Sequence, residues 1–80
     1  MELRIKEVAK LQGMDLQTLS KKLGITYQAL NARMIGNPSA KVIQQIADAL
    51  NVSVFELIAS DKDTYHSYDE KGNWMGIVKK

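Results

Sequence analysis

Apolar residues recur at helical spacing through the first sixty positions, and residues that stop helices cut the pattern at short intervals. Ile5, Val8 and Ala9 share one face of a first helix, and Gly13 can take the left-handed conformation that ends it. Asp15 suits the N-cap of a second helix running to about Lys22, with Leu19 and Leu23 turned inward. Gly24 ends that helix and Ile25 plugs the turn. Thr26 caps a third helix from about Tyr27 to Met34, which Gly36 closes. The residue before a proline avoids the helical region, so Asn37-Pro38-Ser39 marks a fresh start. Ser39, or Asn37 with Pro38 at the first helical position, caps a fourth helix through Leu50. Its apolar positions are Ile43, Ile46, Ala47 and Leu50. Asn51 follows, where a left-handed residue is wanted. Ser53-Val54-Phe55-Glu56 has the form of a capping box and opens a short fifth helix ending near Ser60.

The last twenty residues change character. Thr64–Tyr68 and Trp74–Val78 carry aromatic and β-branched residues on either side of the polar turn Asp69-Glu70-Lys71-Gly72-Asn73. This is the form of a β-hairpin. A lone hairpin is marginal in water, so it must pack on the helices or on a second copy of the chain. A disordered tail is the competing reading. The expected class is an all-α, five-helix unit over residues 1–60, with a C-terminal tail or hairpin over residues 61–80.

Eighty residues make one domain, and a chain this short buries only about 60% of its unfolded surface. There is no cysteine to reinforce that core, to hold zinc or to act as a nucleophile. No apolar run approaches the ~20 residues of a membrane span, and the N-terminal segment alternates charge with apolar residues, unlike a signal peptide. A cytoplasmic protein is expected. The charge is uneven: residues 1–45 carry seven Lys/Arg against three Asp/Glu, and residues 46–80 carry four Lys against six Asp/Glu. The basic half is the better partner for a polyanion.

The informative stretch runs from Leu16 to Leu30. Two helices crossing steeply need a small side chain at the crossing, which Ser20 supplies. The turn between them needs a residue tolerant of positive φ, which Gly24 supplies. Ile25 and Leu30 pin the third helix against the first two. That arrangement leaves the far side of the third helix open along its length, free to enter a DNA major groove.

These residues carry a family resemblance. Asp15-Leu16-Gln17-Thr18-Leu19-Ser20-Lys21-Lys22-Leu23-Gly24-Ile25-Thr26 resembles the opening of the Xre/Cro helix-turn-helix repressors of phages and bacteria. Gly36-Asn37-Pro38-Ser39 and Ile46-Ala47-Asp48-Ala49-Leu50-Asn51-Val52-Ser53 match that family's fourth helix and its entry into the fifth. The resemblance covers residues 3–59. It implies a helix-turn-helix of helices two and three, a third helix that reads bases, and phosphate contacts at the N-termini of helices two and four. Carried over residue by residue, Thr26, Tyr27, Gln28, Asn31 and Ala32 face the groove. Gln28 is the leading base reader, because a Gln side chain can pair bidentately with adenine. Gln17, Arg33, Ser39 and Lys41 are the expected phosphate contacts.

Three positions depart from the family. Leu16 stands where a phosphate-binding Gln is usual, Arg33 where an apolar residue packs, and Ile35 where Asn is commoner. The implied function is a transcriptional repressor binding a palindromic operator on double-stranded DNA. One recognition helix covers too few base pairs for useful specificity, so a homodimer with half-sites about 34 Å apart is expected. Residues 61–80 are the candidate dimerisation arm. The alternative is an antitoxin-like module whose C-terminal tail binds a partner protein. No enzyme is expected, since there is no Cys nucleophile, second histidine, Ser-His-Asp arrangement or phosphate-cradling Gly-rich loop, and no cofactor or metal is implied. His66 has no second ligand nearby in sequence. Asp61 and Asp63 read as a solvated linker, and Trp74 and Met75 as packing or interface residues.

Overall fold

The computed structural model describes residues 2–80. Five helices are followed by a two-stranded antiparallel hairpin: α1 (Ile5–Leu11), α2 (Leu16–Leu23), α3 (Tyr27–Ile35), α4 (Ala40–Leu50), α5 (Val54–Leu57), β1 (Thr64–Tyr68) and β2 (Trp74–Lys79). The helix stops work as their chemistry requires. Gly24 takes φ +69° and returns its N–H to the end of α2, and Asn51 takes φ +58° at the end of α4. Gly36 ends α3 differently, in extended backbone at φ −78° and ψ −162°, so its missing Cβ is not what terminates that helix. Pro38 then keeps Asn37 from resuming the helix. Side-chain caps open four of the helices: Asp15 accepts from the Thr18 N–H, Thr26 from that of Ala29, Ser39 from that of Val42, and Ser53 from that of Phe55. Ser39 rather than Asn37 is therefore the cap of α4.

One core joins the helices. Ile5, Val8 and Ala9 of α1 meet Leu19 of α2, Leu30 of α3, the inner face of α4 (Ile43, Ile46, Ala47, Leu50) and Leu57 of α5. Ser20 is buried at the helix crossing and satisfies its hydroxyl by donating to the Gln17 carbonyl at 2.7 Å. Leu16, Leu23, Ile25 and Met34 pack against this core from its rim.

The fifth helix is shorter than its sequence suggests. It stops at Leu57, because the next residues leave to pair with the N-terminal segment. Leu3 forms an isolated antiparallel bridge with Ile58; Arg4 N–H donates to the Leu57 carbonyl at 2.8 Å, and Ala59 N–H to the Glu2 carbonyl at 3.0 Å. The capping box also forms only in part. Ser53 Oγ accepts from Phe55 N–H, and the Glu56 carboxylate turns away to accept from the Tyr68 hydroxyl.

The hairpin forms in place of a disordered tail, and it docks on the helices. Asp69 closes its turn by accepting from the N–H groups of Lys71 and Asn73 with one carboxylate oxygen. The register pairs Tyr65 with Val78, His66 with Ile77 and Ser67 with Gly76, then slips by one residue so that Tyr68 meets Trp74. That bulge leaves Met75 unpaired and 65% exposed. The inner face is polar at its anchor points. His66 Nε2 meets the Ile58 carbonyl oxygen at 2.6 Å, and Trp74 Nε1–H donates to His66 Nδ1 at 2.9 Å. A ring that accepts at Nδ1 must carry its proton on Nε2, which then donates to Ile58. Tyr68 donates to Glu56 Oε2 at 3.0 Å and accepts from the Arg4 guanidinium. Both nitrogens of His66 are thus occupied, and Asp61 is engaged in its own turn with Asp63 N–H and Thr64 Oγ1. No helix among the described residues is long and apolar enough to cross a membrane.

Candidate nucleic-acid interface

The geometry of α3 follows from one buried side chain. Leu30 has no exposed surface, so it fixes which side of the helix faces the core. At about 100° per residue, the opposite side is set by Gln28, Ala32 and Ile35, which fall within about 40° of Gln28 around the axis. All three are exposed, Ile35 to 87%. The ridge they form runs from the first turn of α3 to its end, where Ile35 also borders a groove shared with the N-terminal segment and α1.

The other expected base contacts sit less centrally. Tyr27 is 39% exposed and lies about 100° from Gln28 on the flank of the ridge. Asn31 is half-buried and lines a groove with Met34 and Ile35, opposite Leu3, Arg4 and the first residues of α1. Thr26 is exposed, but its Oγ1 is engaged in capping α3 at 3.1 Å. Arg33 is half-buried and lies about 140° from Gln28, so it serves a different side of the helix from the ridge. Ile35 was the residue missed: its position seven after Gln28 already placed it on the exposed face.

The two expected phosphate sites differ electrostatically. Gln17 is exposed in the first turn of α2, beside an anionic cap. The backbone N–H of Thr18 bonds the Asp15 carboxylate at 2.7 Å and holds its pKa below the ordinary value, with the Thr18 hydroxyl and the charge of Lys21 adding to the effect. A negative side chain already occupies that helix N-terminus. The N-terminus of α4 is capped by the neutral Ser39 and carries the exposed Lys41 in its first turn, which suits a phosphate better. Leu16 packs on the core and offers nothing to a phosphate. Lys21 and Lys22 are exposed at the end of α2. Arg4 is withdrawn from the basic surface by its bonds to Glu56 and Tyr68.

Asp15 gives a pH-dependent expectation. Its folded-state pKa is depressed, so its contribution to stability is present above the unfolded value of about 3.9 and is lost as pH falls through the folded value. Asp15→Asn keeps a capping oxygen without the charge. Melting temperatures measured from pH 7 down to pH 3 should fall less steeply for the variant in the acid range, and parallel curves would remove Asp15 from the account.

The helix-turn-helix family model matches residues 5–57, which run from the start of α1 to the end of α5. A similar protein is the uncharacterized HTH-type transcriptional regulator YazB of Bacillus subtilis (strain 168), 41% identical over 61 residues, which are 74% of this chain and 88% of YazB. No solved structure shows significant similarity to the chain. With its two core-pinned helices, its glycine turn and its open third helix, this chain belongs to the helix-turn-helix family of the Xre/Cro kind, DNA-binding transcription regulators rather than enzymes.

Proposed function

We propose that the chain is a repressor that binds a palindromic operator as a homodimer, with α3 in the major groove of each half-site. The observation that carries this reading is the exposed ridge of α3, with Gln28 near its N-terminal end and Leu30 anchoring the opposite side. Gln28 reads adenine through its amide, while Tyr27, Asn31 and Ala32 contact the neighbouring bases and Thr26 sits at the point of entry. The phosphate grip comes mainly from Ser39 backbone and Lys41 at the start of α4, with Gln17 and Arg33 contributing at the edges. Repression is passive: the bound dimer occupies the promoter and excludes polymerase from it, in the cytoplasm.

Residues 1–60 act as the DNA-binding unit and residues 61–80 as the dimerisation arm. Support for the arm comes from the outer face of the hairpin, where the cross-strand pair Tyr65 and Val78 is 44% and 38% exposed, with Met75 beside it. An antitoxin-like tail that wraps a partner protein draws less support, since β1 and β2 pair with each other and dock on the helices.

The test is enrichment of binding sites from a random DNA pool, followed by titration at several salt concentrations with wild type and Gln28→Ala. The expected result is a palindromic site bound by two chains, with affinity falling steeply as salt rises. Gln28→Ala should lose ~1–3 kcal/mol of discrimination at one base pair per half-site and leave the salt dependence unchanged. A variant with undiminished discrimination would take Gln28 out of the interface. Enrichment of a site without two-fold symmetry would overturn the homodimer.

A further inference from the structure

Ile35 is the most exposed large apolar residue among those described, at 87%, and nothing in the chain covers it. Its neighbour Met34 takes the place against the core, so packing does not account for an isoleucine here. An isolated exposed isoleucine is ordinary on a protein surface. This one is not isolated in its setting, because it ends the ridge that begins with Gln28 and includes the exposed Ala32. Seven residues at about 1.5 Å each put Ile35 roughly 10 Å beyond Gln28 along the axis of α3.

We propose that Ile35, on the same exposed ridge as Ala32, reads a thymine methyl group further along the half-site than the base that Gln28 contacts. The proposal rests on α3 lying in the major groove. An aliphatic side chain can neither donate nor accept a hydrogen bond, and the apolar mark that base edges present in that groove is the C5-methyl of thymine. Gln28 pairs with adenine at one end of the ridge, and the two aliphatic residues select thymine further along it. The half-site preferred by such a helix is rich in A·T pairs, chosen by one polar and two apolar contacts. Ile35 is then a specificity residue that adds no phosphate contact and no salt dependence.

The experiment uses the full chain and the site it enriches. Each thymine of one half-site is replaced in turn by deoxyuridine, which deletes the methyl and leaves pairing intact. Affinities are measured for wild type, Ile35→Ala and Ile35→Val. Wild type should lose about fourfold at one position, the factor for one buried methyl group. Ile35→Ala should lose most of the difference between thymine and uracil there while keeping its sensitivity elsewhere, and Ile35→Val should restore most of it. Because Ile35 is exposed, all three should melt at nearly the same temperature. The proposal is overturned if Ile35→Ala keeps full methyl sensitivity at every thymine, or if the half-site has no thymine in reach of the end of α3. A uniform weakening without methyl dependence would assign Ile35 to the sugar backbone, and a changed oligomeric state would assign it to a second copy of the chain. Failure of the pool to yield any site would instead overturn the placement of α3 itself, before any thymine is replaced.

Discussion

Leu30→Ala is expected to destabilise the chain by about 3 kcal/mol, the middle of the range for truncating a fully buried leucine. Leu30 has no exposed surface and is the one fully buried residue of α3. Its loss leaves a cavity under the helix that carries the exposed ridge of Gln28, Ala32 and Ile35. In a domain of this size each kcal/mol shifts the midpoint by roughly 4–8 °C, so the melting temperature should drop by more than about 10 °C. Thermal and urea denaturation followed by circular dichroism would measure both. The loss should also weaken DNA binding of the folded fraction, because α3 is no longer held in one orientation. A cost below about 1 kcal/mol would mean that Met34 and Ile25 hold α3 without it.

The second large effect is expected at Arg4. Its Nε donates to the Glu56 carbonyl at 2.7 Å and its Nη2 to the Tyr68 hydroxyl, which in turn donates to the Glu56 carboxylate. Three parts of the chain, the N-terminal segment, α5 and β1, meet in that knot. Glu56 is only 4% exposed, and the Arg4 side chain only 11%. Burial pushes the Tyr68 phenol above its ordinary pKa despite the opposing bond from Arg4, so it stays protonated and keeps donating to Glu56 at neutral pH. Arg4→Met keeps the apolar stem and removes every donor. The expected cost is about 2–3 kcal/mol, the scale for hydrogen bonds to a charged group that leave buried acceptors behind. The hairpin should loosen first, seen as faster amide exchange in β1 and β2 and a red shift of Trp74 fluorescence. Glu7→Gln is the control. Glu7 lies 3.8 Å from Arg4 but is 73% exposed, and such an ion pair contributes little. Unchanged exchange in the hairpin of Arg4→Met would show that His66 and Trp74 hold it alone.

Much of this architecture was legible before any coordinates, for reasons that are local. Gly24 and Asn51 need left-handed backbone, and the caps at Asp15, Thr26 and Ser39 act within three residues of themselves. The hairpin was legible because its turn residues sit between two short runs of strand formers. What escaped the sequence depends on distant partners. Glu56 three residues after Ser53 reads as a capping box, yet Tyr68 outcompetes the local bond. The end of α5 was misplaced because Ile58 is claimed by Leu3. On the reading face, Gln28 and Ala32 were in view from the motif. Ile35 was passed over because its helical phase was weighed less than its family position. Arg4 counted toward a basic surface, although its charge is spent inside the fold.

The bridge between Leu3 and Ile58 also bears on the order in which the molecule assembles. It joins residues more than fifty positions apart, whereas each helix and the hairpin close over a few. Local turns form in about a microsecond, while bringing distant segments together carries a loop-closure entropy that grows with the length between them. The clasp is therefore expected to close after the helices have condensed, which φ-values at Leu3 and Ile58 near zero would show. Interactions made that late belong to the native state rather than to the folding transition state. Weakening the clasp would hasten unfolding and leave the folding rate nearly untouched. The stitch between the N-terminal segment and residue 58 is then expected to add to how long the chain stays folded without changing how fast it folds.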